Sequence, residues 1–251
     1  MTNGRRVMAH AIWLVLAASQ SWAVLNCDQR PFEAGSDLEA LYVNMSDAVA
    51  AFPRLEETLN SDLTLCLSDT LVAERGYYQP EGRRLVLASN MTPGLTLAVG
   101  VHELRHVQQY DVGSCPGLDL SMRAYANAVF AMEADASVTS LVVATFHRKQ
   151  GRPEMWDALA AWPTQADIAA RFAATFAKTL RIEDAATDAF SSWYEDAERR
   201  DRYYIAICAN YLDQLDRDHL LPQYNSLSDG FFDDLCSLPD GNPYRCSRPA
   251  D

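Results

Sequence analysis

The stretch His102-Glu103-Leu104-Arg105-His106 decides how this chain is read. Upstream of it, Thr92-Pro93 is a good helix start: a Thr hydroxyl can accept an early backbone N–H, and Pro at the first helical position gives up an N–H that would have no partner anyway. A helix running from there to about Tyr110 puts His102 and His106 four residues apart, one turn from each other on one face. Both imidazoles can then reach a single Zn2+ ion. Glu103 lies about 100° round the helix from His102 at 3.6 residues per turn, beside such an ion without being a ligand. That arrangement suits metal-assisted hydrolysis, in which the ion lowers the pKa of a bound water and a glutamate general base takes its proton, later passing it to the leaving amine.

A catalytic zinc needs a third protein ligand and an open position. Downstream, Met132-Glu133-Ala134-Asp135-Ala136 offers two acids on a second helix. Glu133 and Asp135 are about 200° apart on a helix, so only one can face the metal. Glu133, with the longer reach, is the expected ligand and Asp135 the alternative. The apolar neighbours Val129, Phe130, Met132 and Val138 imply that an acid here is buried and needs a partner. A third ligating histidine six residues after His106 is missing, since that position is Val112. His147 lies about 21 Å along the second helix from Glu133 at 1.5 Å per residue, and nothing around His219 recommends it. For the donor to a developing oxyanion, Tyr110 continues the histidine face, and Tyr125 sits two turns before Glu133. Arg105 reads as a solvated arginine on the far side of the helix.

Working outward, Ser36-Asp37-Leu38-Glu39 is a capping box opening a helix to about Ala51, stopped by Pro53. Leu55 to Ser68 reads as a weaker helical or mixed segment. Thr70-Leu71-Val72-Ala73 leads into Gly76-Tyr77-Tyr78, the turn Gln79-Pro80-Glu81-Gly82 and Arg84-Leu85-Val86-Leu87-Ala88, which together predict a β-hairpin. A long helix follows from about Leu118 to Gln150, closed by Gly151. The alanine-rich region from Pro153 to His219 is helical with a break at Trp162-Pro163-Thr164, and the tail from Leu221 predicts little regular structure. The fold class is mainly α with a small β-hairpin or sheet. No linker divides residues 24–251, which are expected to form one domain with a helical C-terminal extension and a disulfide-stapled tail.

Arg5-Arg6, the apolar run from Ala11 to Ala18 and Ser21-Trp22-Ala23 form a signal-peptide pattern with cleavage after Ala23. The run is too short to span a bilayer, so the protein is expected to be exported, periplasmic or secreted, with no membrane span. The formal charge of −13 excludes the basic footprint of a nucleic-acid binder. Losing Arg5 and Arg6 takes the basic count from 21 to 19 against 34 acids, a mature net charge of −15. Six cysteines without a CxxC spacing, in an exported chain, predict three disulfides rather than a cysteine metal site.

HELRH followed by EADA on a second helix resembles the gluzincin branch of the zincin metallopeptidases, and is similar to bacterial metallopeptidase domains sharing HELRHVxQ and EADA patches. The likeness covers roughly Gly76 to Ser140. It implies a zincin-like α+β fold, zinc ligands at His102, His106 and Glu133, Glu103 as general base, and an exposed strand at Arg84–Ala88 to which a peptide adds as a further strand, the equal alternative for that strand being a hairpin that merely covers the core. One departure stands out: many gluzincins place an Asp four residues after the ligand glutamate, and that position here is Ser137. The expected function is therefore an exported zinc peptidase acting on a peptide or protein substrate, with no obligate partner. The competing reading is a catalytically silent, disulfide-stapled helical binding protein that retains the fold.

Overall fold

The computed structural model describes residues 25–71, 74–228 and 230–247. The signal-peptide pattern lies outside them. The chain opens with β1 (Leu25–Asp28), α1 (Asp37–Val49), α2 (Pro53–Leu59), β2 (Thr64–Ser68), β3 (Gly76–Gln79) and β4 (Arg84–Ala88). Ser36 Oγ accepts from Glu39 N at 3.1 Å, while the Glu39 carboxylate accepts from Gly35 N at 2.6 Å, one residue before the expected return contact.

The sheet is larger than the expected hairpin. The hairpin itself is present as β3 and β4, the segment expected to be helical or mixed supplies the end of α2 and then β2, and the strand order is β1-β2-β4-β3. β2 runs parallel to β4, Cys66 beside Val86, and antiparallel to β1, where Cys27 pairs with Cys66 in register and by disulfide. Of the strand expected at 70–73, residues 72 and 73 lie outside the described residues. Pairing through β2 makes β4 an interior strand, with Leu85, Val86, Leu87 and Ala88 all buried. This corrects the expectation that Arg84–Ala88 is an exposed edge. Among the described residues, the edge on that side is β3.

Helices make up the rest: α3 (Pro93–Asp111), α4 (Met122–Lys149), α5 (Glu154–Ala161), α6 (Ala166–Thr179), α7 (Ile182–Trp193), α8 (Ala197–Arg217) and the short α9 (Phe231–Leu235). Thr92 and Ser121 cap α3 and α4 with their hydroxyls. α3 lies against β3 and β4 on one side and against α4 and α5 on the other. Its buried Val99, Val101, Leu104 and Val107 each contribute roughly 1.5–3 kcal/mol of burial. Gly94 lets α3 start hard against α5, because a Cβ there would fall 2.2 Å from the Glu154 carbonyl oxygen. α4 is the one described helix long and apolar enough to cross a bilayer, but 83% of that apolar window is buried inside the fold. His147 is a core histidine, its Nε2 2.7 Å from the Ala48 carbonyl oxygen at the end of α1.

α8 is seated by a buried cation. The Arg199 guanidinium donates to the carbonyl oxygens of Trp193 at 2.9 Å and Thr164 at 3.0 Å, and pairs with Asp167 Oδ1 at 2.6 Å. The tail contains α9 and a short bridge between Ser237 and Pro243, closed by the Cys236–Cys246 disulfide.

Two disulfides, not three, are formed. Cys115 and Cys208 are free, each half-buried in its own surroundings near the end of α3 and on α8. The even cysteine count misled because counting carries no distances. Thiol labelling of the denatured, unreduced protein should therefore find two thiols per chain. In the native protein Cys115 should react slowly, since burial and then the nearby Asp111 push its pKa up to about 11. A count of zero would restore the third disulfide.

Candidate metal centre

α3 and α4 lie side by side and bring His102, His106 and Glu133 together, with one donor atom from each within 4.8 Å of the others. His102 Nε2 and His106 Nε2 are 3.1 Å apart. Glu133 approaches them with Oε2 at 3.3 Å from the first and Oε1 at 3.4 Å from the second. Ligands about 2.0–2.1 Å from a zinc ion at the tetrahedral angle are about 3.3 Å from one another. These three side chains thus present one face of such a tetrahedron, and their 14–16% exposure leaves the fourth corner reachable. The donor set, two imidazoles and a carboxylate, is one that zinc accepts.

Glu103 is buried beside the cluster. Burial pushes its pKa up, opposed by the two histidines; Glu133 raises it further, and a hydrogen bond from the Tyr78 backbone lowers it. Gly76 permits this close fit of β3 to α3: a Cβ there would lie 2.7 Å from Val99 Cγ1, 2.9 Å from Leu87 Cδ2 and 3.1 Å from Glu103 Cγ.

Asp135 does not join the cluster. As the 200° separation requires, it points away from Glu133 and is fully buried. Its Oδ2 accepts from Arg105 Nε at 2.7 Å and from Gln109 Nε2 at 2.8 Å, and its Oδ1 accepts from the Tyr244 hydroxyl at 2.7 Å. Arg105 is accordingly buried rather than solvated. Three residues along a helix is about 300°, which leaves it only about 60° from His102 and not on the far side.

Tyr110 is 44% exposed, its ring edge-on to Tyr78 at 5.9 Å. Tyr125 is buried against Tyr211, and its hydroxyl accepts from Gln214 Nε2 at 3.3 Å. Neither hydroxyl meets the cluster among the described residues. Tyr203 of α8 does, donating to Glu133 Oε2 at 3.1 Å with its ring against Trp193. Burial and the Glu133 charge hold its hydroxyl protonated, the charge being the larger cause. Tyr203 stands 70 residues from Glu133, and no local pattern points to it. Gln109 was findable: it lies three residues after His106 on the same face, with Oε1 2.7 Å from His106 Nδ1.

In the metal-free protein, burial opposes charging of His106, but Glu133, then Glu103 and Gln109, raise its pKa from 6.5 to about 9. Glu133 moves the other way, held well below the usual carboxylate range: its own burial is overcome by the histidines. A basic group raised on folding stabilises fully below its unfolded pKa, and that stability is lost as pH rises through the folded value. The metal-free thermal midpoint should therefore fall between about pH 6.5 and about pH 9. Metal affinity should rise over the same window, because binding displaces a proton. A flat midpoint across it would show that His106 is not held charged.

No curated protein and no solved structure matches the chain. The model of the family described as "Putative metallopeptidase family (DUF6782)" matches residues 17–246, nearly the whole length, and the chain belongs to that family.

Proposed function

We propose that the protein is an exported zinc peptidase of gluzincin type, with His102, His106 and Glu133 as the protein ligands. The observation that carries this reading is the triangle of donor atoms with 3.1–3.4 Å edges, flanked by a buried glutamate that is not part of it. A zinc ion bound there supplies Lewis acidity, which acidifies water and polarises a carbonyl. The chain's own residues do the rest. Glu103, made more basic by burial, accepts the proton of the attacking water and returns it to the leaving amine nitrogen. Tyr203, protonated and at the cluster, donates to the oxyanion as it develops, the role first expected of Tyr110. The free edge of β3, whose Tyr78 backbone touches Glu103, offers main-chain hydrogen bonds to an extended peptide. The family match supports a peptidase, and the two disulfides accord with an oxidising compartment.

Metal analysis beside a peptide-hydrolysis assay tests the centre. Glu103→Gln should keep zinc and lose about 10²–10⁴-fold in rate, because it removes a proton acceptor and no ligand. His102→Ala and His106→Ala should lose the metal, Glu133→Ala should weaken it, and Tyr203→Phe should lower kcat with zinc retained. Zinc bound with no hydrolysis of any peptide would favour the silent binding protein. Unchanged metal content in all three ligand variants would end the zinc reading. Export is checked separately: N-terminal sequencing of protein from the cell envelope or medium should begin at Val24, and an intact Met1 would rule out cleavage.

A further inference from the structure

Behind the cluster lies a buried polar chain that the proposed chemistry does not use. Gln109 is 1% exposed, and its amide orientation is determined by its neighbours. Nε2 faces two groups that can only accept, the Met132 carbonyl oxygen at 3.0 Å and Asp135 Oδ2 at 2.8 Å. Oε1 is thereby turned to His106 Nδ1 at 2.7 Å. An amide oxygen only accepts, so Nδ1 must carry a hydrogen, and in the neutral ring the lone pair of His106 belongs to Nε2, the atom facing His102 and Glu133.

Asp135, which holds Gln109, is held in turn by the C-terminal loop. The Tyr244 hydroxyl binds its other oxygen. Its partner Arg105 donates through Nη2 to the Leu235 carbonyl oxygen at 2.5 Å and lies 3.4 Å from Ser237 Oγ. Ser237 and Tyr244 lie within the loop closed by Cys236–Cys246, Leu235 is the α9 residue immediately before it, and Tyr244 N donates to the Cys236 carbonyl oxygen at 3.2 Å. A hydrogen-bonded path thus runs from the disulfide loop through Asp135 and Gln109 to His106.

We propose that Gln109 is the positioning residue of His106, and that the Cys236–Cys246 loop, acting through Asp135 on Gln109, sets the affinity of the centre for a divalent zinc-like cation. The inference rests on the metal-binding reading of the cluster and adds the loop as a working part of it. Groups that orient a ligating imidazole commonly change metal affinity about 10–100-fold when removed.

The test uses the full chain, with two readouts: zinc affinity by competition against a chelator, and the visible absorption of the Co2+-substituted protein. Gln109→Met keeps length and volume while removing both hydrogen-bonding groups. It should weaken zinc about 10–100-fold and shift the Co2+ bands as the imidazole turns, with far-UV circular dichroism unchanged. Cys236→Ser combined with Cys246→Ser should weaken zinc in the otherwise native chain and cause no further loss in the Gln109→Met background, as expected of residues acting in series. Tyr244→Phe, which leaves the disulfide in place, carries the same cycle should the double serine variant not fold. If the losses multiply, or if Gln109→Met binds zinc within about twofold of the native chain, the inference is overturned and the zinc centre stands. If the native chain itself binds no zinc, both readings fall.

Discussion

The ion pair between Arg105 and Asp135 is the constraint on which the centre depends. It joins α3 to α4 at the level of the histidines, at 2.7 Å and almost without solvent. Two charges withdrawn from water cost several kcal/mol each, repaid only when geometry is good and the remaining hydrogen-bonding positions are filled. Here they are filled. Asp135 accepts from Gln109 and Tyr244, and Arg105 donates to Gln108, Leu235 and Ser237. Losing one partner would strand the other charge, a loss of about 3–5 kcal/mol. A sliding of α3 along α4 would break this set together with the approach of Glu133 to His102 and His106, so one buried pair holds the register of two helices and of the donor atoms they carry.

The electrostatics of the cluster follow from the same packing. Two acids and two imidazoles share a small, mostly dry volume, and without a metal the stable arrangement puts a proton on His106 against the Glu133 carboxylate. A divalent cation is the natural replacement for that proton, since it satisfies the same lone pairs and offsets both carboxylates at once. Glu103 is kept out of the competition by its place round the helix and by the Tyr78 backbone. That separation of ligand from base is what the proposed hydrolysis requires.

Local chemistry was legible in the sequence and distant closure was not. The Thr92 cap, the Pro93 start and the four-residue histidine spacing determine α3 from one segment, and the 200° between Glu133 and Asp135 foretells that only one of them meets the histidines. Leu55–Ser68 reads only as helical or mixed, which the end of α2 and β2 bear out. The strand itself does not stand out because the five-residue run Thr64–Ser68 acquires its strand character from a parallel partner twenty residues on, with no alternation of its own to show it. The edge expected at Arg84–Ala88 came from the resemblance, and pairing with β2 is what removes it. Arg105 was misplaced through its charge: an arginine on a helix is usually solvated, and its burial depends on Asp135 and on a loop 130 residues away. Tyr203 and Tyr244 are invisible for the same reason, each being one tyrosine among eleven until the fold closes.

The two edges of the proposed active site differ in kind. On one side stands the backbone edge of β3, brought onto α3 because Gly76 has no side chain to hold Val99 and Leu87 away. A bare strand edge recognises the repeating amides of an extended chain and little else, so it favours peptides without choosing among sequences. On the other side stands α8, delivering Tyr203 to Glu133 and itself anchored through Arg199 to the α5–α6 junction. Selection among peptides under this reading must come from side chains near the mouth, where Tyr110 stands exposed against Tyr78. Under the same reading, the mature chain's net charge of −15, from 19 basic and 34 acidic residues, would draw cationic peptides and slow acidic ones.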